Sequence, residues 1–436
     1  MFHSPDALDP LVRSLRTGDR DPTALANDCC DRLDAVDNDI EAVLPEPGRR
    51  DRLTREAAAL SARYDEPSER PALFGVPVGV KDIFHVDGYA TRAGSSVPLA
   101  AITGSQSTAV DRLLDAGALH LGKAHTTEFA YFDPAPTRNP NDLAHTPGGS
   151  SSGSAAGVAA GEFPLALGSQ TVGSVIRPAA FCGIVGFKPS YDRIPRDGVI
   201  PFSPSVDHVG IFTGDVAGAR RAAGVLCDGW DPVDPDERPI LGVVKGAYTE
   251  QATAAGRAGV EAGVGALTDA GYEVRRVPML DDIETVNDRH DRLISAELSL
   301  THAELFAEYG DRYAAATADL IEQGREVGSG ELADARMAAR EFRARIGERI
   351  REAGVDVVLS PAAPGPAPEG IDTTGDPTMN LPWTHGGTPA LTVPCGRVGD
   401  LPLGLQCVSP FGTDESLLTW GESLANVVAD VGEVDS

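Results

Sequence analysis

The chain reads as an α/β protein, and three observations carry that reading. Short, mostly apolar runs of strand length recur at Val76–Val80, Ala118–Gly122, Leu165–Gly168, Ile240–Val244 and Asp356–Pro361. Stretches with helical spacing of apolar residues separate them, and such alternation builds a sheet covered by helices. No segment repeats along the chain, and no uncharged apolar run reaches the length of a membrane span.

Each element has its own warrant. Asp21-Pro22 is a helix start, with a side-chain acceptor before a residue of preset φ, and Ala57–Leu60 continues a second helix. Val76–Val80 is a buried strand whose end carries Lys81 and Asp82. Ser107 is placed to cap a helix through Leu113-Leu114, Gly117 to end it, and Ala118–Gly122 to follow as a strand. Ala155–Ala160 suits a helix of small residues that packs closely, and Leu165–Gly168 is a strand leading into a turn at Ser174. Beyond Asp215 longer helices prevail, including the alanine- and glycine-rich Gln251–Ala270. Glu331–Glu352 is an amphipathic helix with Leu332, Phe342, Ile346 and Ile350 inward, a solvated charged face and a Glu341/Arg345 pair one turn apart.

At 436 residues the length alone suggests about three domains. Yet no linker or composition break divides the chain, so one domain over residues 1–436 is expected. Its motif-bearing core covers about 71–215 and a returning sheet segment about 355–419. With 65 acidic against 37 basic side chains the formal charge is −28, which excludes nucleic acid and anionic membranes as partners. Lys81, Lys123, Lys188 and Lys245 are the only lysines. An acidic surface nearly free of lysine suits a cytoplasm of high ionic strength, where screening is short-ranged; an arginine-rich, acidic composition without salt adaptation is the plainer alternative. The first residues have no basic stretch followed by an apolar one, so no signal peptide is expected and the location expected is cytoplasmic. Cys29, Cys30, Cys182, Cys227, Cys395 and Cys407 lack metal-ligand spacing and read as reduced, buried residues, with Cys182 notable only for following Ser174 closely.

Lys81, Ser150 and Ser174 carry the chemistry. A serine attacks an amide only when one group takes its proton and another receives the oxyanion. A buried lysine can take the proton, because desolvation disfavours its charged form, and backbone amides of a glycine-containing turn can receive the oxyanion. Ser150 read alone is one loop serine among several, and Ser174 read alone is a helix N-cap before Val175-Ile176-Arg177. The N-cap reading agrees with catalysis, since a helix N-terminus favours an anion.

The sequence resembles the amidase signature family, serine amidohydrolases with a Ser-cisSer-Lys triad. The resemblance rests on Gly75-Val-Pro-Val-Gly-Val-Lys-Asp82, Pro147-Gly-Gly-Ser-Ser-Ser-Gly-Ser154, Gly168-Ser-Gln-Thr-Val-Gly-Ser174 with Arg177-Pro-Ala-Ala-Phe-Cys-Gly183, Gly186-Phe-Lys-Pro189 and Asn380-Leu-Pro-Trp-Thr-His-Gly-Gly-Thr-Pro389. It implies a large mixed, twisted sheet flanked by helices on both faces. It implies Lys81 as base, Ser150 on a cis peptide as proton relay, and Ser174 as the nucleophile of an acyl-enzyme. The backbone amides of Thr171, Val172, Gly173 and Ser174 would form the oxyanion hole. Asp82 reads as structural, since it points away from Lys81 on an extended chain.

The usual family string is Asp-Thr-Gly-Gly-Ser-Ile-Arg. Here Gln170 replaces the Asp, Val172 the first Gly, and the Arg moves one place to Arg177. Losing both members of a charge pair is a neutral exchange. Val172 is the sharper departure, because a β-branched residue fits poorly where φ is positive.

For substrate, the resemblance puts the end of Thr126-Thr-Glu-Phe-Ala-Tyr-Phe132 beside the acyl pocket. Tyr131 and Phe132 fit either an apolar substrate group or the core, Ser151 fits substrate binding or, like Ser152, a supporting hydroxyl role, and Trp383 and His385 are equally open. No metal and no cofactor is expected, and the glycine-rich loop lacks the Lys-Ser/Thr ending of a phosphate site. The expected reaction is hydrolysis of a small-molecule carboxamide to a carboxylate and ammonia or an amine, with a homodimer compatible. Two rivals stand beside it. One is the glutaminase subunit of a tRNA-dependent amidotransferase, whose usual Arg-Tyr-Asp-Gly-Val-Arg-Tyr-Gly segment is missing here, Asp311-Arg-Tyr-Ala-Ala-Ala316 being the nearest string. The other is a non-catalytic binding protein on the same scaffold, against which the intact Lys81, Ser150 and Ser174 set argues.

Overall fold

Strand-length apolar runs become the spine of one sheet, seen in a computed structural model that describes residues 2–235 and 237–434. In chain order the strands are β1 (Pro77–Lys81), β2 (Leu119–Ala124), β3 (Leu165–Gln170), β4 (Val185–Lys188), β5 (His208–Thr213), β6 (Leu241–Lys245), β7 (Val274–Pro278), β8 (Val357–Pro361), β9 (Ala390–Val398) and β10 (Leu401–Val408). Their order across the sheet is β2-β1-β3-β5-β4-β9-β10-β8-β6-β7. The three strands at each end are parallel, and the middle, from β3 to β8, is antiparallel throughout. Helices flank the mixed sheet on both faces, as the resemblance implied.

The parallel ends follow from the crossovers. The helix Thr108–Asp115 carries the chain from β1 to β2, and Ala254–Asp269 carries it from β6 to β7. The helix Pro22–Ile40 begins at its expected cap, where Asp21 accepts a hydrogen bond from Ala24 N at 2.9 Å. Gly117 ends its helix at φ +85°. All nine residues of the helix Ser152–Ala160 are buried. Its small residues are required: a Cβ on Gly153 would lie 2.1 Å from Ala42 O and 2.5 Å from His125 N.

Three local expectations change. Ser107 occupies the N-cap position, but its hydroxyl makes no cap hydrogen bond. The backbone oxygen of Asp197, on a loop packed against the helix start, accepts from Thr108 N at 3.2 Å instead. Arg345 does not pair with Glu341; it reaches Asp282 at 2.7 Å, on the neighbouring stretch that opens the helix Ile283–Thr301. The charged face of Ser329–Ala353 is also not purely solvated, since Arg336 pairs at 2.6 Å with the buried Glu297. The apolar positions Leu332, Phe342, Ile346 and Ile350 are buried as the periodicity requires. No helix among the described residues is long and apolar enough to cross a membrane.

Candidate active site

Lys81 is the last residue of β1 and has no accessible surface. Its Nζ lies 2.6 Å from Ser150 Oγ and 2.8 Å from Ser169 Oγ, two neutral hydroxyls. Burial pushes the Lys81 ammonium well below the usual lysine range, and the more distant Asp207 carboxylate only partly opposes it. Asp82 turns the other way: its carboxylate meets Lys123 Nζ at 2.6 Å and accepts from Arg92 N and Ala93 N at 2.9 and 3.2 Å. The cation next to Lys81 in the sheet is therefore neutralised without involving Lys81.

Ser150 follows a cis peptide bond from Gly149, the geometry that the resemblance implied. Its loop and the Ser174 turn are tied together by Arg177, whose Nη2 donates to Gly149 O at 2.8 Å and to Thr374 Oγ1 at 3.1 Å. Ser174 keeps 8% of its surface accessible, and it is not the expected N-cap, since Val175 holds that position before the helix Ile176–Cys182. Ser151 is fully buried and exchanges hydrogen bonds with the backbone of Ser169, at 3.2 and 3.3 Å. It thus braces the residue that meets Lys81 and does not face a cleft. Ser152 likewise turns back on its own loop, donating to Gly148 O at 2.8 Å.

The turn 171–174 has a directional bonding pattern. Thr171 O is held by His290 Nε2 at 3.0 Å and Val172 O accepts from Thr384 Oγ1 at 2.6 Å. Among the described residues, the N–H groups of Thr171, Val172, Gly173 and Ser174 have no protein acceptor. Consecutive N–H groups left without an acceptor are the kind of donors that can receive negative charge.

Gln170 explains the missing Asp. Its Oε1 accepts from Val175 N and Ile176 N at 2.8 and 3.0 Å, while its Nε2 donates to Thr384 Oγ1 at 2.9 Å. An amide thus caps the helix start that follows Ser174 without bringing a charge. Val172 avoids the left-handed region, so its β-branch meets no positive-φ conflict. Gly173 is needed for a different reason: a Cβ there would lie 2.5 Å from Asn380 Oδ1.

Sequence reasoning assigned no role to Ser169, Thr384, Asn380 or His290. The first three stand inside the recognised strings, whereas nothing in the helical pattern around His290 marks it. Asn380 is fixed by Ala362 O and Gln406 Oε1 at 2.9 and 3.0 Å, beneath the turn. Trp383 is a core residue, with no accessible surface and its Nε1 donating to Tyr248 OH at 2.9 Å.

A cavity of about 740 Å³ opens at Val172, walled by Tyr131, Phe132, Leu381 and Pro377 with Asp288, Asp291 and Glu331 on its polar side. Tyr131 sits edge-on to Phe132 and tilted against Phe202, so it is both core and wall. A smaller cavity of about 410 Å³ reaches Ser169 and Thr171. All six cysteines are free and buried; Cys182 donates to Pro147 O, and burial pushes its thiol far up. Among the described residues, no group of three or more His, Cys, Asp and Glu side chains is gathered as metal ligands would be.

Known proteins resemble this chain in sequence and in fold. The chain matches the Amidase family over residues 24–418. It is 31% identical to a glutamyl-tRNA(Gln) amidotransferase subunit of Koribacter versatilis, covering 94% of this chain and 95% of the relative. It is 35% identical to the like-named subunit of Anaeromyxobacter sp. strain K, covering 89% of each. A crystal structure of an amidase superposes with a TM-score of 0.88 at 31% identity, covering 97% of this chain and all of the other. With that match over most of its length, and with the fold that goes with it, the chain belongs to the amidase signature family of hydrolases.

Proposed function

We propose that the protein hydrolyses a small-molecule carboxamide through an acyl-enzyme on Ser174. The observation that carries this reading is the pair of short contacts from a buried Lys81 to Ser150 and Ser169, with no carboxylate bonded to the amine. A neutral lysine amine has a lone pair for the Ser150 proton and N–H bonds left for Ser169. Ser174 Oγ attacks the amide carbon, and its proton passes through Ser150 to Lys81. The amides of residues 171–174 hold the oxyanion. Lys81 returns the proton through Ser150 to the leaving nitrogen, the C–N bond breaks, and water then hydrolyses the ester by the same path. Tyr131 and Phe132 wall the side from which an apolar group of the substrate would approach Val172. The reaction uses no cofactor, and the protein is read as cytoplasmic and salt-adapted.

A second reading draws support from the relatives, which are named as amidotransferase subunits. In it the same triad releases ammonia from an amide within a multi-subunit enzyme. Ammonia release by the pure protein across aliphatic, aromatic and ureido amides at high salt, with labelling of Ser174 by a fluorophosphonate, tests the first. Recovery of two stoichiometric partners in a pull-down, with no free-standing turnover, would favour the second.

A further inference from the structure

We propose that His290 and His385 form a positioning pair that aims the oxyanion turn, acting through the carbonyl of Thr171. This inference rests on the amidase reading. His290 lies on the helix Ile283–Thr301 and His385 ends the helix Leu381–His385; both side chains are buried. Their Nδ1 atoms are 3.2 Å apart, and His290 Nε2 is 3.0 Å from Thr171 O.

The geometry dictates both tautomers. A carbonyl only accepts, so His290 Nε2 carries a proton. Burial, reinforced by the neighbouring imidazole, pushes His290 down to about 3, and burial with Arg289 and Arg345 nearby pushes His385 down to about 4. A neutral His290 protonated on Nε2 has a bare Nδ1, which accepts from Nδ1–H of His385. Phe342 stands edge-on to His385, with ring centres 5.4 Å apart.

The consequence for the turn follows from peptide planarity. In a trans peptide the C=O and the N–H point in opposite directions. Holding Thr171 O on His290 therefore turns Val172 N–H away from the two helices. Thr384, also on the helix Leu381–His385, holds Val172 O and turns Gly173 N–H away in the same manner. Two anchors on packed helices thus aim two consecutive donors at the opposite side of the turn. The proposal places the tetrahedral oxyanion formed on Ser174 at that side. Neither histidine touches substrate in this scheme.

Steady-state kinetics of paired variants test it, with folding monitored by circular dichroism. His290→Leu removes the donor to Thr171 O and should lower kcat by about 10²-fold, the effect of losing an oxyanion donor, with KM changed less than about twofold. His290→Gln places an amide N–H near the Nε2 position and should recover most of that loss. A folded His290→Leu with unchanged kcat, or a His290→Gln no better than His290→Leu, overturns the proposal. If His290→Leu does not fold, His385→Asn, which keeps a donor near Nδ1, should exceed His385→Leu in kcat; equal values overturn it. Nitrogen-15 spectra of histidine-labelled wild-type protein give a readout free of activity. His290 protonated on Nε2 alone and His385 on Nδ1 alone are expected, and a proton on His290 Nδ1 is fatal to the pair. Wild-type protein that neither releases ammonia nor takes the fluorophosphonate removes the amidase reading, while the spectra still decide the histidine geometry.

Discussion

Lys81 and Lys123 are neighbours on β1 and β2, in a register that pairs Val80 with Lys123 and Lys81 with Ala124. Both are buried, and burial lowers both below the usual lysine range. Their partners differ. Lys123 faces the Asp82 carboxylate at 2.6 Å and also donates to Phe84 O at 2.8 Å, so its charge is matched. Lys81 faces only hydroxyls at bonding distance, so nothing in contact with it sustains an ammonium. Burial makes a lysine unusual, and its partner decides whether it becomes a brace or a base. Lys188 belongs between them: it is buried among carbonyls, and desolvation pushes it down to about 7.

The largest expected effect breaks the comparison on the catalytic side. Ser174→Ala should abolish turnover with the fold intact, and Lys81→Met should lose about as much, because groups acting as one unit are not additive. Ammonia release retained by either pure variant would sink the assignment.

Stability should reverse the ranking of the lysines. Lys123→Met leaves Asp82 buried without its cation and should destabilise by about 3–5 kcal/mol. Lys81→Met removes an amine that must shed its proton to be buried, so the loss should be far smaller. Denaturant titrations of the two variants decide this, and equal destabilisation would erase the distinction.

The pH dependence sharpens it further. A base must be neutral, so activity should fall about tenfold per unit once pH drops below the folded-state pKa of Lys81. For stability the sign follows from linkage. The unfolded chain holds the Lys81 proton up to about 10.4, whereas the folded chain has already released it. Stability from this group therefore rises with pH between the lowered folded value and the unfolded one. A flat rate profile from mildly acidic to alkaline pH would count against Lys81 as base.

Salt should affect the surface and leave the buried pair alone. At a formal charge of −28 the folded chain repels itself, and screening shortens from about 10 Å at 0.1 M to about 3 Å at 1 M. The thermal midpoint should climb through a chloride series in wild type, while the Lys123→Met deficit stays constant. A level or falling midpoint would remove the salt-adapted reading.

The alternation of apolar runs with helical patterns was enough to predict the α/β class, because burial imposes period and length locally. The strings around Lys81, Ser150 and Ser174 were readable through the family resemblance, since a small-residue run by itself is only a loop pattern. Tertiary structure alone decided the rest. Ser107 had the chemistry of a cap, but a packed loop took its place. Gln170 looked like a lost charge, yet it caps the helix start after Ser174. His290 reaches Thr171 across 119 positions, and Thr384 reaches Val172 across 212. Hydrogen bonds of that separation depend on how helices dock over a sheet, and no local pattern encodes docking.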